Sequence, residues 1–302
     1  MNLWIPDRAG QEALGELPKS VALGLIPPDG QLPPAILDAE FLVPSPGDRR
    51  VGELLPRMSE LQVIQTLSAG VDWLLPIAPP GVTICDASGT RDVPVAEWVL
   101  ATILASRKML PELRDCQRQH DWHWRRSSEL AGSTVMILGY GAIGAAVEAR
   151  LAPFDVRMIR VARRARAGVH AVDELGELLP HAEILIVLLP LTHATIGLLD
   201  ADSLRRLRPG ALLVNAARGQ IVDTEALVEL LAAGRLRAAL DVTDPEPLPP
   251  EHPLWDTPGV LLTPHMAGDT SAADRRAFAL AGEQVRRYAR QEPLVNVVKH
   301  GY

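Results

Sequence analysis

The sequence predicts an α/β protein in which a doubly wound parallel sheet is accompanied by a second, smaller α/β unit. Two observations lead to this prediction. Short apolar runs of strand length alternate with helical patterns along most of the chain, as in parallel sheets that helices cover on both faces. One of these runs, at 135–138, continues into the glycine pattern GxGxxG and then into a helical pattern.

Composition limits the classes of protein to consider. The chain has 302 residues and a hydrophobic content of 47%, which suit about two domains with large cores. A net charge of -7 gives no basic field for nucleic acid, and no apolar run reaches the roughly 18 residues of a membrane span. Cys85 and Cys116 lack zinc-ligand or disulfide spacing, so we expect no metal and two buried thiols in a reducing compartment. The N-terminus lacks a signal-peptide pattern, which predicts a cytoplasmic protein.

The first part of the chain, to about residue 95, predicts the smaller unit. Strand-sized runs lie at 3–5, 21–26, 41–43 and 63–67, with helical patterns at 34–37 and 51–58. The last run ends in the turn Ser68-Ala69-Gly70-Val71-Asp72. The amides of this turn could bind an anion, or the turn could simply connect two elements.

A long apolar helix is predicted from about Pro94 to Met109. Apolar residues cover most of its circumference, so it is buried either between domains or, as we favour, against a second copy of the chain. The stretch HDWHWRR at 120–126 combines aromatic and basic side chains. It is too short and isolated for a nucleic-acid site and predicts an interface or a lid over the active cleft.

From Val135 the alternation of strands and helices becomes regular. Strand-sized runs recur at 135–138, 158–161, 184–189, 211–215, 238–242 and 260–263. Asp200 is the expected cap of a helix at 201–207, and Asp223 or Thr224 that of a helix at 225–233. We expect a final amphipathic helix at about 271–290 to return to the first domain. The predicted domains are therefore 1–95 with 268–302, and 96–267.

The glycine pattern Gly139-Tyr140-Gly141-Ala142-Ile143-Gly144 predicts a binding site for a dinucleotide pyrophosphate. Gly139 permits the turn, Gly141 lets the backbone approach the phosphates, and Gly144 lets the helix pack closely on the strand. N–H groups at the helix start would face the anion. Alone, the pattern also fits a plain glycine-rich turn, but its place after the first strand of a doubly wound domain favours binding.

The end of the second strand bears on the choice of dinucleotide. NAD-binding versions place an acidic residue about 20 positions further on, where it binds the ribose hydroxyls. Here Ala162 lies 18 residues after Gly144 (162 minus 144), and Arg163 and Arg164 follow. Because arginine binds phosphate with a charged fork, the pattern favours NADP(H), with NAD as the alternative. The other interpretation is a solvated arginine pair and weak selectivity.

Three polar segments follow later strands, at the sheet edge where ligands bind in such folds. They carry Arg218, Glu246 and His265. Arg218 can bind a carboxylate and polarise the adjacent carbonyl, and His265 can give a proton to the developing alkoxide. Glu246 can orient the imidazole and favour its charged form. Singly, each residue is more often structural or solvated; together, beside a nucleotide motif, they predict carbonyl reduction.

The ordered motifs resemble the D-isomer-specific 2-hydroxyacid dehydrogenase family, and within it the glyoxylate/hydroxypyruvate reductase group. The resemblance covers nearly the whole chain. It is carried by LSAGVD at 67–72, VAE at 95–97, GYGAIG at 139–144, LPLT at 189–192 with Thr195, NAARG at 215–219, ALDV at 239–242 with Glu246-Pro247, and TPH at 263–265.

This resemblance implies a Rossmann cofactor domain, a flavodoxin-like substrate domain and a homodimer joined through the cofactor domains. It implies a 2-oxo or 2-hydroxy acid as substrate. The carboxylate of that acid would be bound by Ser68, Ala69, Gly70 and Arg218. Further cofactor contacts would come from Pro190, Thr195, Ala216, Ala217, Asp241 and Gly268, with Asp241 receiving the nicotinamide carboxamide.

The chain departs from the family pattern in three places. Ala162 replaces the acid of NAD-dependent members, Thr243 stands where an aromatic is common, and no arginine lies within 64–68, which disfavours a phosphorylated substrate. We therefore predict NADPH-dependent reduction of glyoxylate, hydroxypyruvate or a similar small 2-oxo acid to the D-2-hydroxy acid. The alternatives are an NAD-dependent dehydrogenase of a larger or phosphorylated 2-hydroxy acid and, in another class, a nucleotide-gated dimeric interaction module.

Overall fold

The structure, a computed structural model, describes residues 1–6, 8–122 and 124–299. His123 of the aromatic stretch and residues 300–302 of the predicted substrate domain lie outside this description. The chain divides into two compact units. The discontinuous unit comprises Met1–Arg91 and Asp269–Tyr302, and the central unit comprises Asp92–Gly268. The sequence placed these divisions after residues 95 and 267.

The regular elements of the described residues alternate along the chain. The strands are β1 (Asn2–Ile5), β2 (Ala22–Leu25), β3 (Phe41–Leu42), β4 (Val63–Gln65), β5 (Thr83–Cys85), β6 (Thr134–Leu138), β7 (Arg157–Ala162), β8 (His170–Ala171), β9 (Ile184–Val187), β10 (Ala211–Asn215), β11 (Leu236–Leu240) and β12 (Val260–Leu262). The α-helices are α1 (Arg8–Ala13), α2 (Arg49–Leu54), α3 (Asp92–Arg107), α4 (Leu110–Arg118), α5 (Ala142–Leu151), α6 (Leu175–Leu178), α7 (Ala201–Arg206), α8 (Thr224–Ala232) and α9 (Ser271–Ala289).

The discontinuous unit contains a parallel sheet in the order β2-β1-β3-β4-β5, which is the flavodoxin-like order. The predicted final helix is confirmed as α9, whose Ala277, Phe278 and Val285 complete the core of this sheet. A Cβ on Gly282 would overlap the carbonyl of Leu14, so only glycine lets α9 lie this close to the chain after α1.

Hydrogen bonds of buried side-chain amides connect α9 and the segment that follows it to the same sheet. Gln284 Nε2 donates to Gln65 Oε1 at 3.0 Å and to the carbonyl oxygen of Val295 at 2.7 Å. Both glutamines are 0% exposed, so each bond satisfies polar atoms that would otherwise be costly to bury. Beside them, burial raises the pKa of the Cys85 thiol to about 12, which keeps this thiol protonated.

The central unit contains a parallel sheet in the order β12-β11-β10-β9-β6-β7-β8. Numbered from β6, this is the Rossmann order 3-2-1-4-5-6 with one further strand, and the predicted fold class is confirmed. The direction of winding reverses between β6 and β9, where such folds bind ligands. Several strand boundaries differ from the prediction by one or two residues. For example, β9 ends at Val187 and β12 at Leu262, and β11 ends at Leu240, so Asp241 lies beyond the strand.

The helices of the central unit largely match the sequence patterns. Asp200 caps α7, and Asp223 rather than Thr224 caps α8, each with a side-chain oxygen that accepts from the backbone three residues on. The predicted helix at 94–109 is shorter at its end, because Met109 has a φ of +53° and a new helix, α4, begins at Leu110. The buried side of α3 packs on the face of the sheet that carries Val135 and Ile137 of β6. Its contact with a second copy stays a prediction.

The two helical patterns predicted in the discontinuous unit are present, but their type and bounds differ from the prediction. Residues 34–38 form a 3-10 helix, and the pattern at 51–58 divides into α2 and a 3-10 helix at 55–57 that contains Pro56. None of the helices in the described ranges has both the length and the apolar composition needed to cross a bilayer. Cys85 and Cys116, both within those ranges, are free cysteines and are buried as predicted.

Candidate active site

The glycine turn after β6 fits a dinucleotide pyrophosphate. Gly139 has a φ of +108°, and a Cβ there would overlap the carbonyl group of Leu188, so only glycine fits. A Cβ on Gly144 would lie 3.0 Å from the carbonyl oxygen of Gly139. By contrast, a Cβ on Gly141 would meet no atom of the described residues within 4 Å. Among those residues no side chain caps α5, so the helix N-terminus can receive an anion at this open space.

The end of β7 places several cations near the glycine turn. Ala162 is the last residue of β7, and the predicted phosphate ligands Arg163 and Arg164 follow with exposed side chains. A further cation here, Arg166, was not predicted from the sequence. Its Nη2 donates to the carbonyl oxygen of Tyr140 at 2.6 Å, and its guanidinium carbon lies 5.7 Å from the centre of the Tyr140 ring.

Tyr140, within the glycine turn, is held by a second arginine. The guanidinium carbon of Arg160 lies 5.8 Å from the ring centre, and Arg160 Nε donates to Glu148 Oε2 at 2.7 Å. Arg160 lowers the pKa of Glu148, whereas the hydrogen bond to Glu148 raises the pKa of the Tyr140 hydroxyl. Glu148 therefore stays charged, and this pairing fixes the tyrosine beside the predicted ribose site.

Two predicted cofactor residues meet in the loop after β9. Thr195 Oγ1 donates to the carbonyl oxygen of Pro190 at 2.7 Å and accepts from the backbone N–H of Thr192 at 2.8 Å. The hydroxyl therefore holds the loop in shape. The contact of Pro190 and Thr195 with a cofactor stays a prediction.

Asn215, the last residue of β10, fixes the segment that carries Arg218. Its side chain is buried; Oδ1 accepts from the N–H of Ala217 at 3.0 Å, and Nδ2 donates to the carbonyl oxygen of Arg218 at 2.9 Å. These bonds set the turn through the predicted cofactor residues Ala216 and Ala217. Arg218 Nη1 in turn donates to the carbonyl oxygen of Ala217 at 2.7 Å.

Gly219 lets the segments after β10 and β11 touch. A Cβ on Gly219 would overlap the backbone of Thr243 and Asp244, so no other residue fits between Arg218 and the loop that leads to Glu246. The unusual Thr243 braces this loop, because its Oγ1 donates to the carbonyl oxygen of Pro245 at 2.9 Å. The motif NAARG contains Gly219, but the sequence gives no sign of this close approach.

His265 and Glu246 form the predicted pair. His265 Nδ1 lies 2.7 Å from Glu246 Oε1, and the two side chains are 46% and 38% exposed. An ionised carboxylate only accepts, so Nδ1 donates and Nε2 is left to face a reactant. Among the residues that the structure describes, no three His, Cys, Asp or Glu side chains group as metal ligands.

Asp241 is directed at the loop that carries His265. Its carboxylate accepts from Thr263 Oγ1 at 2.6 Å and from the N–H groups of Met266 and Ala267, both at 2.8 Å. Asp241 is 3% exposed, so these bonds lie away from water. The predicted contacts of Asp241 and of nearby Gly268 with the nicotinamide stay predictions.

The predicted carboxylate-binding turn lies in the discontinuous unit. Ser68, Ala69 and Gly70 are half-buried after β4. Thr66 Oγ1 donates to the carbonyl oxygen of Ser68 at 2.6 Å, and Ser68 Oγ donates to that of Gly70 at 3.0 Å. The turn is therefore braced by its own hydroxyl groups, and its role in binding a substrate stays a prediction.

Arg91 places a cation next to this turn, although the stretch 64–68 itself contains no arginine. Its Nε donates to the carbonyl oxygen of Leu67 at 3.2 Å. Its guanidinium nitrogens lie 3.6 Å from a carboxylate oxygen of Asp269 and 3.0 Å from one of Asp274. Two carboxylates thus counter its charge, which leaves little attraction for an additional phosphate group.

The comparison with protein families decides the membership of the chain. The NAD binding domain of the D-isomer specific 2-hydroxyacid dehydrogenase family matches residues 100–267, which is more than half of the chain. The chain belongs to this family. The resemblance drawn from the motifs is therefore confirmed.

The names of similar proteins refer to different acids. The chain is 34% identical to the glyoxylate reductase of Thermofilum pendens over 265 residues, which cover 83% of this chain and 78% of that reductase. It is 31% identical to the D-3-phosphoglycerate dehydrogenase of Methanocaldococcus jannaschii over 300 residues, which cover 95% of this chain and 56% of that dehydrogenase. The chain thus spans little more than half the length of this second relative.

A solved structure from the family shares the complete fold. It is the NADPH-dependent glyoxylate/hydroxypyruvate reductase from Sinorhizobium meliloti, crystallised in complex with NADP and sulfate. The two structures superpose with a TM-score of 0.84 at 27% sequence identity, over 100% of this chain and 99% of that chain. Both parallel sheets of this chain therefore have counterparts in that reductase.

Proposed function

We propose that this chain is an NADPH-preferring reductase of small 2-oxo acids, such as glyoxylate and hydroxypyruvate, that forms the D-2-hydroxy acid. The observation that carries the proposal is the His265–Glu246 pair, 2.7 Å apart, at the same sheet edge as Arg218 and the glycine turn. A proton donor, a carboxylate-binding cation and a dinucleotide turn are the parts that carbonyl reduction requires.

In the proposed mechanism, Arg218 binds the substrate carboxylate and polarises the neighbouring keto group. When bound, the reduced nicotinamide supplies the hydride that the carbonyl carbon receives. His265 gives its Nε2 proton to the carbonyl oxygen, so the product is a neutral hydroxyl group. Glu246 holds Nδ1 and so keeps Nε2 towards the substrate. Ser68, Ala69 and Gly70 are proposed as further ligands of the carboxylate.

The proposed cofactor residues follow from the fit of the glycine turn. The N–H groups from Gly141 to Ile143 would hold the pyrophosphate, and Arg163 and Arg164 the 2′-phosphate. The exposed arginines after β7 and the NADP in the Sinorhizobium reductase support this choice. Further contacts are proposed for Pro190, Thr195, Ala216, Ala217, Asp241 and Gly268.

The proposal includes a homodimer joined through the central unit, in a cytoplasmic location. Trp122 and Trp124 are 101% and 80% exposed, and Leu110 is 53% exposed. Trp122 and Trp124 lie two residues apart along the chain, and exposed aromatic side chains of this kind favour a protein partner. Two buried thiols without a disulfide suit a reducing compartment.

A panel of 2-oxo acids tests the function. The purified protein is expected to oxidise NADPH when glyoxylate or hydroxypyruvate is added, as measured by the loss of absorbance of the reduced nicotinamide. The phosphorylated 2-oxo acid that corresponds to 3-phosphoglycerate is expected to give a lower kcat/KM, because Asp269 and Asp274 already counter Arg91.

Other results of the panel would refute the proposal or favour one of the two alternatives. No consumption of NADPH or NADH with any 2-oxo acid would refute the proposal. Higher kcat/KM with NADH and the phosphorylated acid would favour the alternative dehydrogenase. A protein that binds the dinucleotide, reduces nothing and captures another protein only when nucleotide is present would be the nucleotide-gated module.

The arginines after β7 test the cofactor preference. Arg163→Asp is expected to lower kcat/KM for NADPH by about 10- to 100-fold, since a charged hydrogen bond to phosphate contributes about 1.5–3 kcal/mol. The value for NADH should change less than about threefold, because NADH lacks the 2′-phosphate that the charge would repel. Arg166→Ala shows whether the arginine on Tyr140 shares this role.

The matched control is Arg157→Asp, because Arg157 is exposed and begins β7 at the opposite end from Ala162. It should leave the ratio of the two cofactors unchanged. If neither Arg163→Asp nor Arg166→Ala alters that ratio, the assignment of the 2′-phosphate to these arginines is wrong.

A further inference from the structure

The backbone of His265 lies in a conformation that needs external support. Its φ is +54°, in the left-handed region that residues other than glycine rarely adopt. Such a conformation persists only where the surroundings determine it. In this conformation of the loop at 263–267, the imidazole meets Glu246.

The carboxylate of Asp241, the residue directly after β11, supplies that support. It binds the hydroxyl of Thr263, two residues before His265, and the N–H groups of Met266 and Ala267, one and two residues after it. The carbonyl oxygen of Asp241 also accepts from the N–H of His265 at 2.7 Å. Both sides of the strained residue are therefore tied to one buried residue.

The loop occupies both oxygens of this carboxylate. Asp241 Oδ1 accepts two bonds and Oδ2 accepts one, all from the loop at 263–267. Charge-assisted bonds of this kind in a buried position are strong and set a definite geometry. Glu246 thus contacts the imidazole ring of His265, whereas Asp241 holds the backbone of the loop that carries it.

We propose that Asp241 and Thr263 are positioning residues for His265: they hold its loop so that the imidazole meets Glu246 and presents Nε2 to the substrate. This assignment rests on the proposed proton transfer from His265. It differs from the contact with the nicotinamide that family resemblance implies for Asp241, because it acts through the loop at 263–267 and not on the cofactor.

The decisive variant is Thr263→Val, which removes one hydroxyl at nearly constant volume. We expect kcat for glyoxylate to fall by about 10- to 100-fold, since small misplacements of a catalytic group have effects of this size. The Kd for NADPH and the KM for glyoxylate should change less than about twofold, because neither ligand contacts this hydroxyl in the proposal. Thr263→Ser, which restores the hydroxyl, should recover most of kcat.

Thr257→Val is the matched control. Thr257 Oγ1 donates to the carbonyl oxygen of Pro253 at 2.8 Å, in the same unit but outside the loop, so kcat should not change. Thermal unfolding should show that each variant is folded. If Thr263→Val does not fold, Thr263→Ala and Asp241→Asn provide the same comparison with Thr263→Ser.

A second readout does not depend on turnover. In nitrogen-15 NMR spectra of the imidazole groups, the His265 signals are assigned by their loss in His265→Gln. They should show a proton on Nδ1 in the wild-type protein and shift in Thr263→Val, but not in Thr257→Val. This spectrum tests the positioning even if the wild-type protein reduces none of the 2-oxo acids, which would refute only the proposed function.

Three results would overturn the positioning role. The first is an unchanged kcat together with an unchanged His265 signal in Thr263→Val. The second is a higher Kd for NADPH with normal kcat, which would assign the site to cofactor binding alone. The third is an equal loss of kcat in Thr263→Ser and Thr263→Val, which would assign the effect to packing.

Discussion

Arg218→Ala is expected to lower kcat/KM for glyoxylate by about 10³-fold or more, while the Kd for NADPH stays within about twofold. In the proposed mechanism this guanidinium both binds the carboxylate and stabilises the charge that develops on the carbonyl oxygen. Arg218→Lys should recover only part of the activity, because an ammonium group lacks the planar fork that matches a carboxylate. Steady-state kinetics with a saturating cofactor provides the measurement.

Arg205→Ala is the matched control for this change. Arg205 is 56% exposed on α7 of the same unit and pairs with Asp202 at 3.2 Å. Exposed pairs of this kind contribute little, so kcat/KM should not change. Activity of Arg218→Ala close to that of the wild-type protein would remove the central residue of the mechanism.

His265→Gln is expected to lower kcat by about 10²- to 10⁴-fold, the range that a positioned proton donor contributes. The KM for glyoxylate should change little, since Arg218 is left to bind the carboxylate. Glu246→Gln should have a smaller effect, about 10-fold, because the amide oxygen can still accept from Nδ1 but carries no negative charge. Both variants are measured with NADPH at saturation.

The chain offers a close control for this pair. His170 Nδ1 lies 2.8 Å from Glu174 Oε2, and the two side chains are 45% and 43% exposed, much like those of His265 and Glu246. His170→Gln removes a similar pair and should leave kcat unchanged. A similar loss of kcat in both histidine variants would show that His265 is not the specific proton donor.

The parts that the sequence predicted well are those carried by consecutive residues. The turn at 139–144 follows an apolar strand directly, so its glycines and the helix after it are visible in one short stretch. Arg218 and His265 also lie just past apolar strands, where the topology brings them to one edge of the sheet. Periodicity missed β5 and β8 because Thr83–Cys85 and His170–Ala171 contain no run of consecutive large apolar side chains.

The parts that could not be predicted arise from contacts between distant residues. Arg91 meets Asp269 and Asp274 only because α9 returns to the discontinuous unit, and a cation was therefore missed at the turn after β4. The need for glycine at Gly219 likewise comes from a loop more than twenty residues further on (243 minus 219 is 24). Spacing along the chain contains no signal of either contact.

The discontinuous unit is built from two segments that are far apart in the chain, and this affects the order in which the protein can fold during its synthesis. The central unit is uninterrupted and is complete once residue 268 has been made. The first 91 residues, by contrast, obtain the apolar side chains of α9 only after a further 198 residues (289 minus 91) have been added. At ordinary rates of translation this takes roughly 10 to 40 s. During that interval Leu3 and Phe41 lack part of the core that covers them, so the N-terminal segment exposes apolar side chains that α9 buries later.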